Sequence, residues 1–237
     1  VTTTLAVIGK SGSGKTTMVK GFCDCIKEKF PNKSILLVDS DLTCELGGMF
    51  GLSIRSTIYG IRSGKHEYNT GIPKGMTKQE YIEWALEDIL VSVDENVDII
   101  VSWLVASKDC RCPITQQMND AIVKLIERYD FVIFDCEYDL KYLYQLVDYP
   151  IDTTVIVANP DLKSIHSANN IYIYSQKYAD HGQFGVVLNR LKDSDEGAIE
   201  QVNSFGLKIL GTVGEGADVV ESIKNFYPRL NLPQTES

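Results

Sequence analysis

Apolar residues in this chain gather in short, nearly unbroken runs, separated by segments where they recur every three or four positions. Seven runs read as strands: Leu5–Ile8 closed by Gly9, Ser34–Asp39, Val97–Trp103, Phe131–Asp135, Thr153–Val157, Gly185–Asn189 and Leu207–Val213. Continuous rather than alternating apolarity predicts a sheet covered on both faces. Thr16–Phe30, Thr77–Val93 and Ile114–Tyr129 carry helical spacing. Strand–helix alternation of this kind predicts a three-layer α/β fold, with a mostly parallel central sheet flanked by helices. No repeat or linker divides it, so residues 1–237 are expected to form one domain. Residues 53–107, which open with a stretch rich in Gly, Ser, Lys and Arg, are expected as an insertion. Residues 228–237, with Pro228 and Pro233, are expected as a loose tail.

Composition narrows the classes. At 237 residues and 44% apolar content, the chain can bury a substantial core. Lys and Arg number 23 against 32 Asp and Glu, a formal net charge of -9. That balance disfavours broad electrostatic attraction to DNA or an anionic membrane, so neither is expected as a partner. No run is long and apolar enough to span a bilayer, and the first residues do not have the pattern of a signal peptide. Six cysteines in such a chain are expected as thiols, ligands or core residues in the cytoplasm.

The chemistry begins directly after the first strand. Gly9-Lys10-Ser11-Gly12-Ser13-Gly14-Lys15-Thr16 matches G-x-x-x-x-G-K-[ST] in full, between a strand and a helix. Glycines let backbone N–H groups converge on phosphate oxygens, and the helix N-terminus adds positive potential. Lys15 can reach the β- and γ-phosphates, and the Thr16 hydroxyl can hold Mg²⁺. Ser11, Ser13 and Thr17 complete the candidate contacts to ATP or ADP. Phe131-Val132-Ile133-Phe134-Asp135 is a Walker B pattern, in which Asp135 would hold Mg²⁺ directly or through water. The fold expected is therefore that of a P-loop NTPase.

Lys10, five residues before Lys15, gives the loop a second lysine. Here the chain resembles the deviant Walker A ATPases: the MinD/ParA proteins, the nitrogenase iron protein and related maturation ATPases. Ser11 stands where that group usually has glycine. The resemblance implies that Lys10 crosses a homodimer interface to the partner's nucleotide. It also implies that Asp41, in Asp39-Ser40-Asp41, orients the attacking water, and that Asn189 and Arg190 contact the adenine. Other readings stay open: Asp41 as an acidic helix cap and Asn189 as an ordinary turn residue.

Cys110-Arg111-Cys112 lies between a predicted strand and a predicted helix. Two thiolates are half of a tetrahedral site, and a second copy across a two-fold axis would complete it. Cys23 and Cys25 diverge around a helix and read as packing residues. The loop lysines, D-x-D, C-x-C, Walker B and Asn-Arg, in this order, resemble CooC, the maturation ATPases of nickel carbon monoxide dehydrogenase. That resemblance implies Ni²⁺ or Zn²⁺ bound by Cys110 and Cys112 across the dimer, and a nickel-dependent client enzyme. Plain structural thiols are the alternative. His66, His166 and His181 match no metal spacing.

The expected function is an Mg-ATP-binding, slowly hydrolysing homodimeric switch of the CooC type, with Lys15, Asp41 and Lys10 as its catalytic residues. Two rivals stand beside it. One is a MinD/ParA-type positioning ATPase. The other is a nucleotide-binding module with little hydrolysis, suggested by Cys136-Glu137-Tyr138-Asp139, where relatives carry a glycine after Walker B.

Overall fold

The computed structural model describes residues 1–41, 43–63, 71–102, 116–138, 147–176 and 182–234. All seven predicted strands are present: β1 (Thr3–Gly9), β2 (Ile35–Ser40), β4 (Val97–Val101), β5 (Phe131–Cys136), β6 (Thr153–Ala158), β7 (Gln183–Leu191) and β8 (Ile209–Gly214). An eighth strand, β3 (Val91–Asp94), was not expected. The sheet runs β3-β4-β2-β5-β1-β6-β7-β8, parallel throughout except for β3 against β4. The predicted helix Thr77–Val93 is therefore two elements. The helical part stops at Asp88, and Val91 and Val93 alternate with polar Ser92 and Asp94, the period of a strand half exposed at an edge.

Helices cover both faces, as the continuous apolar strands require. One face carries α1 (Lys15–Lys29) and α8 (Val219–Phe226), packed over Leu5, Val7, Leu37, Ile133 and Val155. The other carries α3 (Ile58–Ser63), α4 (Lys78–Asp88), α5 (Gln116–Ile126), α6 (Leu162–Ser175) and α7 (Glu196–Ser204), packed over Ala6, Ile8, Val38, Phe134 and Ile156. The short α2 (Leu46–Met49) follows β2.

The stretch 53–107, expected as an insertion, supplies α3, α4, β3 and β4 in its described part, and β4 pairs with β2 over five residues. Residues 228–232 are not loose. Leu230 and Leu232 are buried, Asn231 receives the Thr153 hydroxyl on its carbonyl, and Gln183 bonds both Arg229 and Asn231. Apolar side chains at alternate positions after Pro228 give this segment a face to bury, which outweighs the proline content.

Among the described residues, no helix is long and apolar enough to cross a membrane.

Candidate functional site

β1, β2 and β5 end side by side, and all three deliver site residues at their C-terminal ends, where parallel α/β sheets open a crevice. The loop after β1 is shaped by glycines in left-handed conformation, Gly12 at φ 79° and Gly14 at φ 95°. Gly14 caps α1, whose first turn holds no acidic residue, so nothing there opposes an incoming anion. A Cβ on Gly14 would sit 2.4 Å from Asn189 Nδ2, and one on Gly9 would sit 2.5 Å from the Val157 carbonyl oxygen. Glycine is thus demanded both by backbone conformation and by close approach.

β7 braces the loop from behind. Asn189 Nδ2 donates to the Ser13 carbonyl at 2.8 Å, and Arg190 Nη1 donates to the Gly12 carbonyl at 3.2 Å. In a trans peptide, C=O and N–H point opposite ways. Holding the Ser13 carbonyl toward β7 therefore turns the Gly14 N–H to the other side of the loop. Asn189 was expected to read an adenine edge, but here its amide oxygen also accepts, from Arg190 N–H, so both ends of the side chain are engaged. Beyond Arg190, a shallow groove is lined by Leu191, Lys192, Ile199, Thr212 and Gly214.

Lys15 is buried, and its Nζ lies 3.6 Å from Asp41 Oδ2. The other Asp41 oxygen accepts both the N–H and the hydroxyl of Thr43, at 2.9 and 2.8 Å. Lys10 and Ser11 are exposed on the loop and Thr17 is exposed in the first turn of α1, while Ser13 is buried with a hydroxyl that has no hydrogen-bond partner.

Asp135 is fully buried at the end of β5, and neither carboxylate oxygen makes a hydrogen bond of normal geometry. Burial pushes its carboxyl up to about 7; the nearby Thr16 hydroxyl and Lys15 pull it down, while Asp39 and Asp41 push it further up. A buried, unsatisfied carboxylate beside a threonine hydroxyl and a phosphate loop fits a hard divalent cation such as Mg²⁺. Among the described residues, no group of three or more His, Cys, Asp or Glu side chains is arranged to hold a metal ion without further ligands.

Asp39, the first aspartate of the D-x-D, has a role that the sequence did not reveal. It pairs in register with Asp135 across β2 and β5. Its carboxylate accepts Asp41 N–H and Leu46 N–H, each at 3.1 Å, and so fastens both ends of the segment after β2. Burial raises this carboxyl to about 6 despite those two bonds. The Asp39 carbonyl accepts the Ser102 N–H and hydroxyl at the exit of β4. Ser102 leads directly into the segment bearing Cys110 and Cys112, which lie outside the described residues. Cys23 and Cys25 are buried free thiols in α1, and burial pushes them up to about 12 and about 11.

Similar proteins agree with this architecture. The family model described as AAA domain matches residues 3–183. An uncharacterized ATP-binding protein of Methanocaldococcus jannaschii is 26% identical over 234 residues, covering 97% of this chain and 91% of that one. Among solved structures, a chain of the MinC:MinD cell division protein complex of Aquifex aeolicus superposes with a TM-score of 0.69 at 18% identity, covering 99% of this chain and 98% of that one. The septum site-determining protein MinD of Pyrococcus horikoshii, complexed with Mg-ADP, gives a TM-score of 0.62 at 20% identity over 98% of this chain and 91% of that one. At these identities the two structures speak for the fold.

Proposed function

We propose that this chain, which belongs to the AAA domain family, is a Mg-ATP-dependent switch ATPase of the MinD/ParA type that works as a homodimer. The observation that carries the reading is the fully buried Asp135 carboxylate, unsatisfied on both oxygens and set beside the glycine-shaped loop and Thr16. The Mg-ADP held by the MinD neighbour supports it.

Backbone N–H groups of residues 12–16 would receive the phosphates, with Gly14 N–H turned inward by the Asn189 brace. Lys15, now facing Asp41, would move onto the β- and γ-phosphates and leave Asp41 Oδ2 for water. Thr16 and Asp135 would hold Mg²⁺, which would neutralise charge on the phosphate oxygens. Hydrolysis would be in-line attack by a water that Asp41 orients, with Lys10 of the partner protomer offsetting the charge on the nucleotide. The base would lie toward the groove beyond Arg190.

A second, finer reading is metal handling of the CooC type by Cys110 and Cys112. It is favoured by the position of Ser102: the segment bearing the two cysteines begins at a residue bonded to Asp39 of the nucleotide site. ATP-driven closure would bring the two C-x-C pairs together on Ni²⁺ or Zn²⁺ for delivery to a nickel-dependent client.

One set of measurements tests both. Mg-ATP and Mg-ADP titrations, followed by light scattering, should give submillimolar binding to wild type and an ATP-dependent doubling of mass, both lost in Lys15→Ala. Unchanged mass on saturation with Mg-ATP would defeat the dimeric switch. Anaerobic Ni²⁺ and Zn²⁺ titrations of wild type and the Cys110→Ser/Cys112→Ser variant should give about one metal per dimer, lost in the variant. Equal metal uptake by the two proteins, or none by either, would remove the metal-handling reading and leave the nucleotide switch standing.

A further inference from the structure

β2 and β5 are adjacent, parallel and in register: Asp39 lies opposite Asp135, and Ser40 opposite Cys136. Both strands end at that pair, so Asp41 and Glu137 are the first residues to leave them, from neighbouring strand ends at the same level of the sheet. Asp41 and Lys15 both lie close enough to act electrostatically on the Glu137 carboxylate.

The two members of this outer pair are not equivalent. Asp41 is committed on both oxygens, one to Thr43 and the other to Lys15. Glu137 is only half-buried. Its side chain is one methylene longer than that of Asp41 and so has the greater reach from the strand ends. Two residues before Glu137 in the chain lies the buried Asp135 carboxylate, whose oxygens have no hydrogen-bond partner.

We infer that Glu137 is a further water-positioning residue of the hydrolytic site, sharing the attacking water with Asp41. This rests on the ATPase reading above. In the step, the water oxygen forms a bond to the γ-phosphorus as the bond from that phosphorus to the β–γ bridging oxygen breaks. The electron pair of the broken bond leaves on ADP, and the water proton ends on the phosphate product. Glu137 accepts a hydrogen bond from the water throughout, and fixes its direction of approach.

The test is single-turnover hydrolysis of Mg-ATP by the full chain, with Mg-ATP affinity measured in parallel, for wild type, Glu137→Gln and Glu137→Asp. Gln keeps the shape but offers the water a weaker acceptor. The expected result is a hydrolysis rate about 10- to 100-fold lower in Glu137→Gln, with ATP affinity and melting temperature unchanged, and partial recovery in Glu137→Asp. A purely structural residue would move affinity or melting together with the rate. Equal rates in wild type and Glu137→Gln would overturn the assignment and leave the ATPase reading intact. A wild type that binds Mg-ATP and never cleaves it would overturn both.

Discussion

Replacing Asp135 with asparagine should separate two consequences of its burial. This carboxyl rises from an ordinary 3.8 to about 7, chiefly because burial removes it from water. A rise of that size corresponds to about 4 kcal/mol of cost for keeping the group charged in the folded state. The sign follows from proton binding. The folded protein holds the proton more tightly than the unfolded chain does. The stability associated with that proton is therefore fully present below about pH 4, and is lost as the pH rises through about 7. Asparagine keeps the shape without the charge, although its own amide would be incompletely bonded at a cost of about 1–3 kcal/mol. The net expectation at pH 8 is a variant more stable than wild type by about 1–3 kcal/mol, or roughly 3–8 °C for a domain of this size. The gap should narrow toward pH 5. Adding Mg-ATP should reverse the order, because only wild type has the anionic ligand for the cation. Thermal melts at pH 5, 6.5 and 8, with and without Mg-ATP, measure all of this. A variant that melts below wild type by the same margin at every pH would refute the desolvation argument. Equal stabilisation of both proteins by Mg-ATP would refute the assignment of Asp135 as the cation's ligand.

Other expectations follow from single contacts. Gly14→Ala should lower nucleotide affinity at least tenfold in an equilibrium titration, because φ 95° and the 2.4 Å approach to Asn189 leave no room for a Cβ. Asn189→Ala leaves the Ser13 carbonyl without its buried donor; nucleotide affinity should fall about tenfold, with a loss of about 1–3 kcal/mol in urea unfolding. Truncation after Arg229 removes the buried Leu230 and Leu232 and should cost about 3 kcal/mol in the same assay, where a truly loose tail would cost nothing.

Much of the fold was legible in the sequence because buried parallel strands have a simple signature. Ile35–Ser40 and Phe131–Cys136 are apolar along their length and close on aspartates. β3 was hidden because Val91–Asp94 is short, half exposed and continuous with a helical pattern, and it is defined by its partner strand rather than by its own residues. The phosphate loop announced itself through glycine spacing, whereas its support did not. That Asn189 holds Ser13, 176 positions away, depends on β7 lying two strands from β1, which no local pattern encodes. The roles of Asp39 and Glu137 were missed for a related reason. Their meaning lies in the register of β2 against β5. The only sequence trace of it is a pair of carboxylates two residues apart at the end of each strand.

The fastening of Asp39 has a mechanical consequence. Asp41 N–H and Leu46 N–H end on the two oxygens of one rigid, buried carboxylate. Turning that group to release one bond also misaligns the other. The intervening residues therefore open against a threshold of roughly two hydrogen bonds rather than by gradual slackening. Because Ser102 hangs on the carbonyl of the same residue, any displacement of that backbone is felt at the exit of β4. A single aspartate thus acts as the pawl of a latch: the segment is seated or released, and the exit of β4 is tied to whichever state holds.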